Sequence, residues 1–326
     1  MQTLYPFKLK AVFKEKIWGG QKIKQQLNMD FGLLPNCGEA WLVSGVDGNP
    51  TLISNGYLAG NELNELVEVF MGDMVGEKVY EQFGDVFPLL VKVIDSNDWL
   101  SIQVHPDDKL AAKRGIGYGK TEMWYVMQAD ENAELISGFN QKMDEATYVN
   151  YMNNKKIKEI MNFEKVEKGN VFFIPAGRVH ALGPGTVIAE IQQTSDTTYR
   201  IYDWDRMDEK GMTRELHTEE ALEAIDYTLH AKYKTEYKTT ENKTEKVVES
   251  EFFTTNILHL TQPIRKDYSE LDSFVILMCT EGSCEVHWEG QSFPLGIGET
   301  LLLPRIINQV ELFTDQSAII LEVYIP

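Results

Sequence analysis

Gln103 and His105 flank Val104 in the run SIQVHPDD. Glu122 follows after a loop rich in Gly and Lys, and His180 closes the run KGNVFFIPAGRVHAL. Alternate side chains of a strand share a face, so Gln103 and His105 point one way while Ile102 and Val104 point the other. An amide and an imidazole on one face of an apolar strand make a poor core and a good half of a metal site. Residues two apart on a strand have Cα atoms roughly 6.5 to 7 Å apart, so two long side chains can converge on one ion. Glu122 and His180 could complete the set. Imidazole, carboxylate and amide oxygen suit zinc or another divalent first-row metal. Gln is neutral, so the four carry one negative charge against the ion's two. The residual positive charge can stabilise an oxyanion on a substrate. A structural zinc site would more usually be closed by cysteines. His217, His230, His259 and His287 are read as ordinary hydrogen-bonded residues.

Such a site needs a rigid frame, and most of the chain reads as short strands. Apolar runs at 87–93, 99–104, 122–127, 171–174, 187–192 and 274–278 are separated by Gly, Pro, Asn and Asp clusters. Many short strands with turn signals predict a β-sandwich or barrel. Three segments carry helical spacing instead. Residues 61–83 place Leu63, Leu66, Val67, Phe70, Met71 and Met74 on one stripe. Residues 144–163 do so with Val149, Met152, Ile160 and Met161. Residues 218–229 do so with Leu222, Ile225 and Leu229, with Thr218 as N-cap. These stripes are read as packing on the sheets. The Lys-, Thr- and Glu-rich run 231–250 lacks Leu, Ile, Phe and Trp, and reads as a connection between domains that can end in a strand.

With 326 residues, 43% of them hydrophobic, the chain can bury the cores of two or three domains. Its net charge of −19 repels nucleic acid and anionic membrane, so neither is an expected partner. Any phosphate site therefore needs a local cationic pocket. Three irregularly spaced cysteines, Cys37, Cys279 and Cys284, argue against a disulfide framework and for buried thiols in a reducing cytoplasm. The opening MQTLYPFKLKAVFKEKIWGG has no apolar signal-peptide core, and no run reaches the ~18 to 20 residues of a membrane span.

A faint repeat links GNVFFIPAGRVHAL, from Gly169, to GETLLLPRIINQVEL, from Gly298. With Pro175 laid on Pro304, His180 falls on Gln309, and Glu122 falls near Phe274. The second copy keeps the β pattern and loses the ligands, as expected of a structural duplicate. Gly169, Pro175, Gly177 and His180 fit G-x5-P-x-G-x2-H, which resembles the second motif of the cupin superfamily. The run PLLVKVIDSNDWLSIQVHPDD followed by GKTEMWYV is more specific. It resembles the type I mannose-6-phosphate isomerase (phosphomannose isomerase) family, in its compact bacterial branch, where Q-x-H-P replaces H-x-H. The likeness runs from Lys16, Trp18 and Gly19 in EKIWGG, and Glu39 and Trp41 in GEAW, to Arg200 in QQTSDTTYRIYDWD. It thins over the last 80 or so residues.

The resemblance implies one zinc ion per chain on Gln103, His105, Glu122 and His180. It implies active-site roles for Lys120, Glu190 and Arg200, and substrate contacts for Lys92, Ser101 and Trp18. The family's Lys-Pro-Glu is here Lys120-Thr121-Glu122. The implied fold is mainly β: two cupin (jelly-roll) barrels with a few packed helices. Residues 1–235 would form the catalytic domain, 236–250 the linker, and 251–326 a smaller barrel without metal. The implied reaction interconverts mannose 6-phosphate and fructose 6-phosphate through a cis-enediol, in a cytoplasmic monomer or homodimer. Lys120 and Glu190 both stand as candidate bases. Arg200 could meet the phosphate or the enediolate, and Lys92 could offer the phosphate a point charge. The competing reading is a cupin that binds sugar or metal without turnover; a cupin dioxygenase would usually want more histidines.

Overall fold

In the computed structural model, which describes residues 4–207 and 211–326, two antiparallel sheets pack against each other in the first two thirds of the chain. The larger runs Lys234–Thr235, Val171–Ile174, Glu122–Ala129, Thr186–Gln193, Leu89–Ser96, Glu39–Val43, Val12–Lys14. The smaller runs Tyr199–Tyr202, Ile102–Val104, His180–Leu182, Glu134–Phe139, Met161–Lys165. Strand alternation sorts their side chains between two cores. In Leu89–Ser96, Leu89, Val91 and Val93 face outward, whereas Ile94 packs between the sheets. Trp18, Trp124, Phe172, Ile174, Leu182 and Ile188 fill part of that gap.

The outer faces are covered differently. Ile102, Val104, Ala181 and Ile201 of the smaller sheet pack on Tyr148 of helix Glu145–Asn153 and Ala221 of helix Thr218–Ala224. The larger sheet lays Val91, Val93, Met123, Ala189 and Ile191 against Leu63, Leu66 and Met74 of helix Leu63–Val75. Ile276, Leu321 and Val323 of the C-terminal sheet join the same core.

That C-terminal sheet runs Thr244–Glu249, Thr254–Leu260, Ala318–Tyr324, Val275–Trp288, Gln309–Phe313, Ile264–Asp267. Gln291–Gly296 and Thr300–Leu303 also pair with its long central strand. Leu258, Leu277, Val286 and Leu312 give it a core of its own. Phe274 is buried in the shared core, and Gln309 is exposed and donates to Asp267 at 2.8 Å. The strand expected at the end of the connecting run is Thr244–Glu249, and Lys234–Thr235 edges the larger sheet.

The helical segments depart from their predicted lengths. Residues 61–83 divide into Leu63–Val75 and Glu77–Phe83 around Gly76, which has φ 102°. A Cβ there would stand 2.2 Å from the Asp272 carbonyl oxygen, so the close approach of the C-terminal sheet requires glycine and breaks the helix. Met71 adopts φ 47° and is half exposed, which takes it off the stripe. The helix in 144–163 ends at Asn153. Ile160 and Met161 reach the core from a 3₁₀ turn and the strand Met161–Lys165. Thr218 is the first helical residue rather than the cap; His217 takes that place, with no side-chain cap bond.

Candidate metal centre

Backbone register brings two of the expected ligands together. Gln103 pairs with His180 on one side and with Arg200 on the other. Directly paired residues have side chains on one face, about 4.5 to 5.5 Å apart at Cβ. His105 leaves the same strand just before Pro106, and Glu122 opens a strand of the opposite sheet. Ligand atoms of His105, Glu122 and His180 all lie within 4.8 Å of one another. His105 Nε2 is 3.5 Å from Glu122 Oε2, His180 Nε2 is 3.5 Å from Glu122 Oε1, and all three residues are buried. The Gln103 amide sits 3.2 Å from His180 Nε2.

The chemistry of this donor set fits a divalent cation. His105 Nδ1 meets the Thr197 carbonyl at 2.9 Å, and His180 Nδ1 meets the Arg178 carbonyl at 2.7 Å. A carbonyl only accepts, so both Nδ1 atoms carry the proton and both Nε2 atoms present a lone pair to the centre. Burial pushes the His180 pKa down to about 3 and that of His105 well below its usual value, with the charge of Lys120 acting in the same sense. Glu122 Oε1 is buried with no hydrogen-bond partner among the described residues. An orphaned carboxylate oxygen beside two neutral imidazoles is a strong demand for a cation. Ser101 Oγ lies 3.3 Å from Gln103 Oε1; turning the amide over would aim Oε1 at the ligand cluster and let its NH2 donate to Ser101.

The surrounding charges are paired and buried. Lys120 Nζ donates to Glu122 Oε2 at 2.6 Å and to His105 Nε2 at 3.0 Å. Lys92 pairs with Glu190 at 3.0 Å across neighbouring strands, and Trp124 Nε1 donates to the other Glu190 oxygen at 2.9 Å. Burial opposes the Glu190 charge, yet Lys92 and Lys120 outweigh it and hold the carboxyl at about 2. Burial and the repulsion of Glu190 drive Glu122 up to about 7.

These groups line or underlie one cleft of about 250 Å³. Trp18, Lys92, Ser101, Gln103, Lys120, Glu190 and Arg200 border it, and the three charged or imidazole ligands lie buried beside it. Sequence reasoning did not single out Lys14, Asn49, Trp124 or Arg214, which share the wall. Trp124 could have been found, since it follows Glu122 by two on one strand face. His217, set aside as ordinary, accepts from the Arg200 N–H through Nδ1 at 3.2 Å, and its own N–H donates to the Arg200 carbonyl at 2.8 Å.

The sign of the pH dependence follows for metal-free protein. His105 and His180 have depressed folded pKa values, so the unfolded chain binds more protons below about 6.5 and stability falls on acidification. Glu122, raised, acts oppositely between about 4.5 and 7. Two histidines outweigh one glutamate in the shared window, and Glu190 adds to the loss from about 4.5 toward 2. Urea midpoints of chelator-treated protein should therefore fall steadily from about pH 6.5 downward; a flat or rising profile contradicts the neutral-imidazole assignment.

Fold and centre together define a mainly β protein with a buried group of two histidines and one carboxylate that could hold a metal ion, beside a cleft bordered by lysines and arginines. Residues 6–161 match the family model for the phosphomannose isomerase type I catalytic domain, and residues 243–322 match that for the mannose-6-phosphate isomerase cupin domain. The chain belongs to the type I mannose-6-phosphate isomerase family. It is 32% identical to the mannose-6-phosphate isomerase of Streptococcus mutans over 96% of this chain and 97% of that protein. It is 32% identical to mannose-6-phosphate isomerase ManA of Bacillus subtilis over 95% and 96%. The crystal structure of a Bacillus subtilis mannose 6-phosphate isomerase superposes with a TM-score of 0.86 at 32% identity, covering 97% of this chain and 99% of that one. No helix among the described residues is long and apolar enough to cross a membrane.

Proposed function

We propose that this chain is a zinc-dependent aldose–ketose isomerase interconverting mannose 6-phosphate and fructose 6-phosphate in the cytoplasm. The observation that carries the reading is the convergence of His105, Glu122 and His180 within 4.8 Å, with Lys120 and Glu190 alongside in one cleft. Gln103, His105, Glu122 and His180 would hold the ion. A divalent ion there would supply Lewis-acid stabilisation of charge developing on the sugar's oxygens.

The chain's own groups do the rest. The reaction moves a proton between C1 and C2 of the open-chain sugar. Glu190 has each oxygen engaged, one by Lys92 and one by Trp124, and at about 2 its pKa is far from that of an effective base at neutral pH. We therefore assign the proton transfer to Lys120 Nζ acting as the neutral amine, with Glu190 kept anionic as its electrostatic partner. Arg200, paired in register with Gln103, faces the reacting carbons and donates to the charge that grows on their oxygens. Ser101 orients the Gln103 amide, and Trp18 forms an apolar wall of the cleft. Residues 1–235 would form the catalytic cupin barrel, and 251–326 a second barrel with no ligand set.

A coupled assay on mannose 6-phosphate tests the function. Zinc-loaded protein should turn over, chelation should abolish turnover, and added zinc should restore it. Sugar binding with full zinc and no turnover would favour the alternative, a non-catalytic cupin.

A further inference from the structure

Six cations line the cleft: Lys14, Lys16, Lys92, Lys120, Arg200 and Arg214. Four are neutralised within 4 Å: Lys16 by Glu39, Lys92 by Glu190, Lys120 by Glu122 and Arg214 by Asp203. Among the described residues only Lys14 and Arg200 have no carboxylate at that distance. Arg200 stands beside Gln103 and belongs to the reacting end. From the geometry we infer that Lys14 anchors the substrate's phosphate, at the end of the cleft away from the metal centre. This rests on the isomerase reading for what carries the phosphate, and it displaces Lys92 from the phosphate role that the sequence had suggested.

Strand order places Lys14 there. Three strands separate Val12–Lys14 from the Glu122 strand, which is roughly 19 Å along the curved sheet at ~4.8 Å per strand. The Lys14 ammonium leans inward over the Trp41 ring, 4.8 Å from its centroid, and Lys92 sits 5.2 Å from the same ring. Trp41 is thus a neighbour of both the free cation and the committed one. Lys14 also donates to the Asn49 side-chain oxygen, a neutral acceptor that holds the ammonium without cancelling its charge. Burial and the neighbouring Lys16 push its pKa down against the opposing pull of Glu39 and Asp196, neither of which pairs with it within 4 Å as a direct counter-ion. A phosphate dianion would supply that counter-ion, and in a chain of net charge −19 it has few other places to be attracted.

The test compares wild type with Lys14→Met and Lys14→Arg. KM for mannose 6-phosphate and the inhibition constant of inorganic phosphate should rise together in Lys14→Met, by roughly 10- to 100-fold, the size of a lost charge-assisted hydrogen bond. Metal content should not change, kcat should move by less than about threefold, and Lys14→Arg should recover most of the loss. Lys14→Gln, which keeps a polar tip near Asn49, serves if Lys14→Met does not fold. A folded, metal-loaded variant with unchanged KM and unchanged phosphate inhibition would overturn the assignment. Wild-type protein without turnover would instead count against the isomerase reading. Line broadening of the phosphorus resonance of added inorganic phosphate, weaker in the Lys14 variants, would then still decide the role of Lys14.

Discussion

His105→Ala should come out of zinc loading and desalting with no stoichiometric ion, and with activity reduced by about 1000-fold or more. The magnitude follows from Lewis-acid stabilisation of several kcal/mol at about 1.4 kcal/mol per tenfold. His105 is chosen over Gln103 because its Nε2 faces both Glu122 and Lys120, while its Nδ1 is tied to the Thr197 carbonyl. The ring is therefore aimed at the centre from both sides; because it also packs on the His180 ring, 4.8 Å between centroids, the melting midpoint of the variant should be read beside its metal content. Metal content by elemental analysis and turnover by the coupled assay should fall together. Retained activity at unchanged metal content would remove His105 from the ligand set.

Arg200→Ala should lower kcat/KM by on the order of 100- to 1000-fold with metal content unchanged, the usual cost of deleting a donor that acts in the transition state. The guanidinium is held by the Glu215 carbonyl at 2.7 Å and has a buried Nε with no partner among the described residues, so part of its donor capacity is free. Its register partner is Gln103, which sets it beside the proposed metal ligands. The loss should appear in kcat. A loss confined to KM would make Arg200 a second phosphate anchor beside Lys14. No change in either parameter would leave its side chain a structural tie to the Glu215 carbonyl. Lys should rescue poorly, since a point charge does not reproduce the planar fork.

Much of the centre was legible because its logic is local. Period two put Gln103 and His105 on one face, and the glycine–proline turn pattern flagged His180. The register that joins Gln103 to His180, 77 residues on, and Lys92 to Glu190, 98 residues on, is set by sheet assembly and leaves no local mark. For that reason Lys92 could be placed toward a polar pocket, while its pairing with Glu190 could not be read. Lys14 carried no signal in the sequence, and its standing depends on which of its neighbours are already paired. The helix break at Gly76 was hidden in the same way: its cause is Asp272, almost 200 residues later.

Val91 and Val93 face the shared core while Lys92 between them faces the cleft, so one strand is at once a wall of the reaction chamber and a floorboard of the other half. The C-terminal sheet supplies Ile276, Leu321 and Val323 to the underside of that floor. The chain consequently cannot be shortened to its chemistry. Cutting between 235 and 251 would leave helix Leu63–Val75 as a partial cover for the apolar backs of the strands that carry Glu122, Glu190 and Lys92, and the half without ligands is the masonry on which the half with ligands rests.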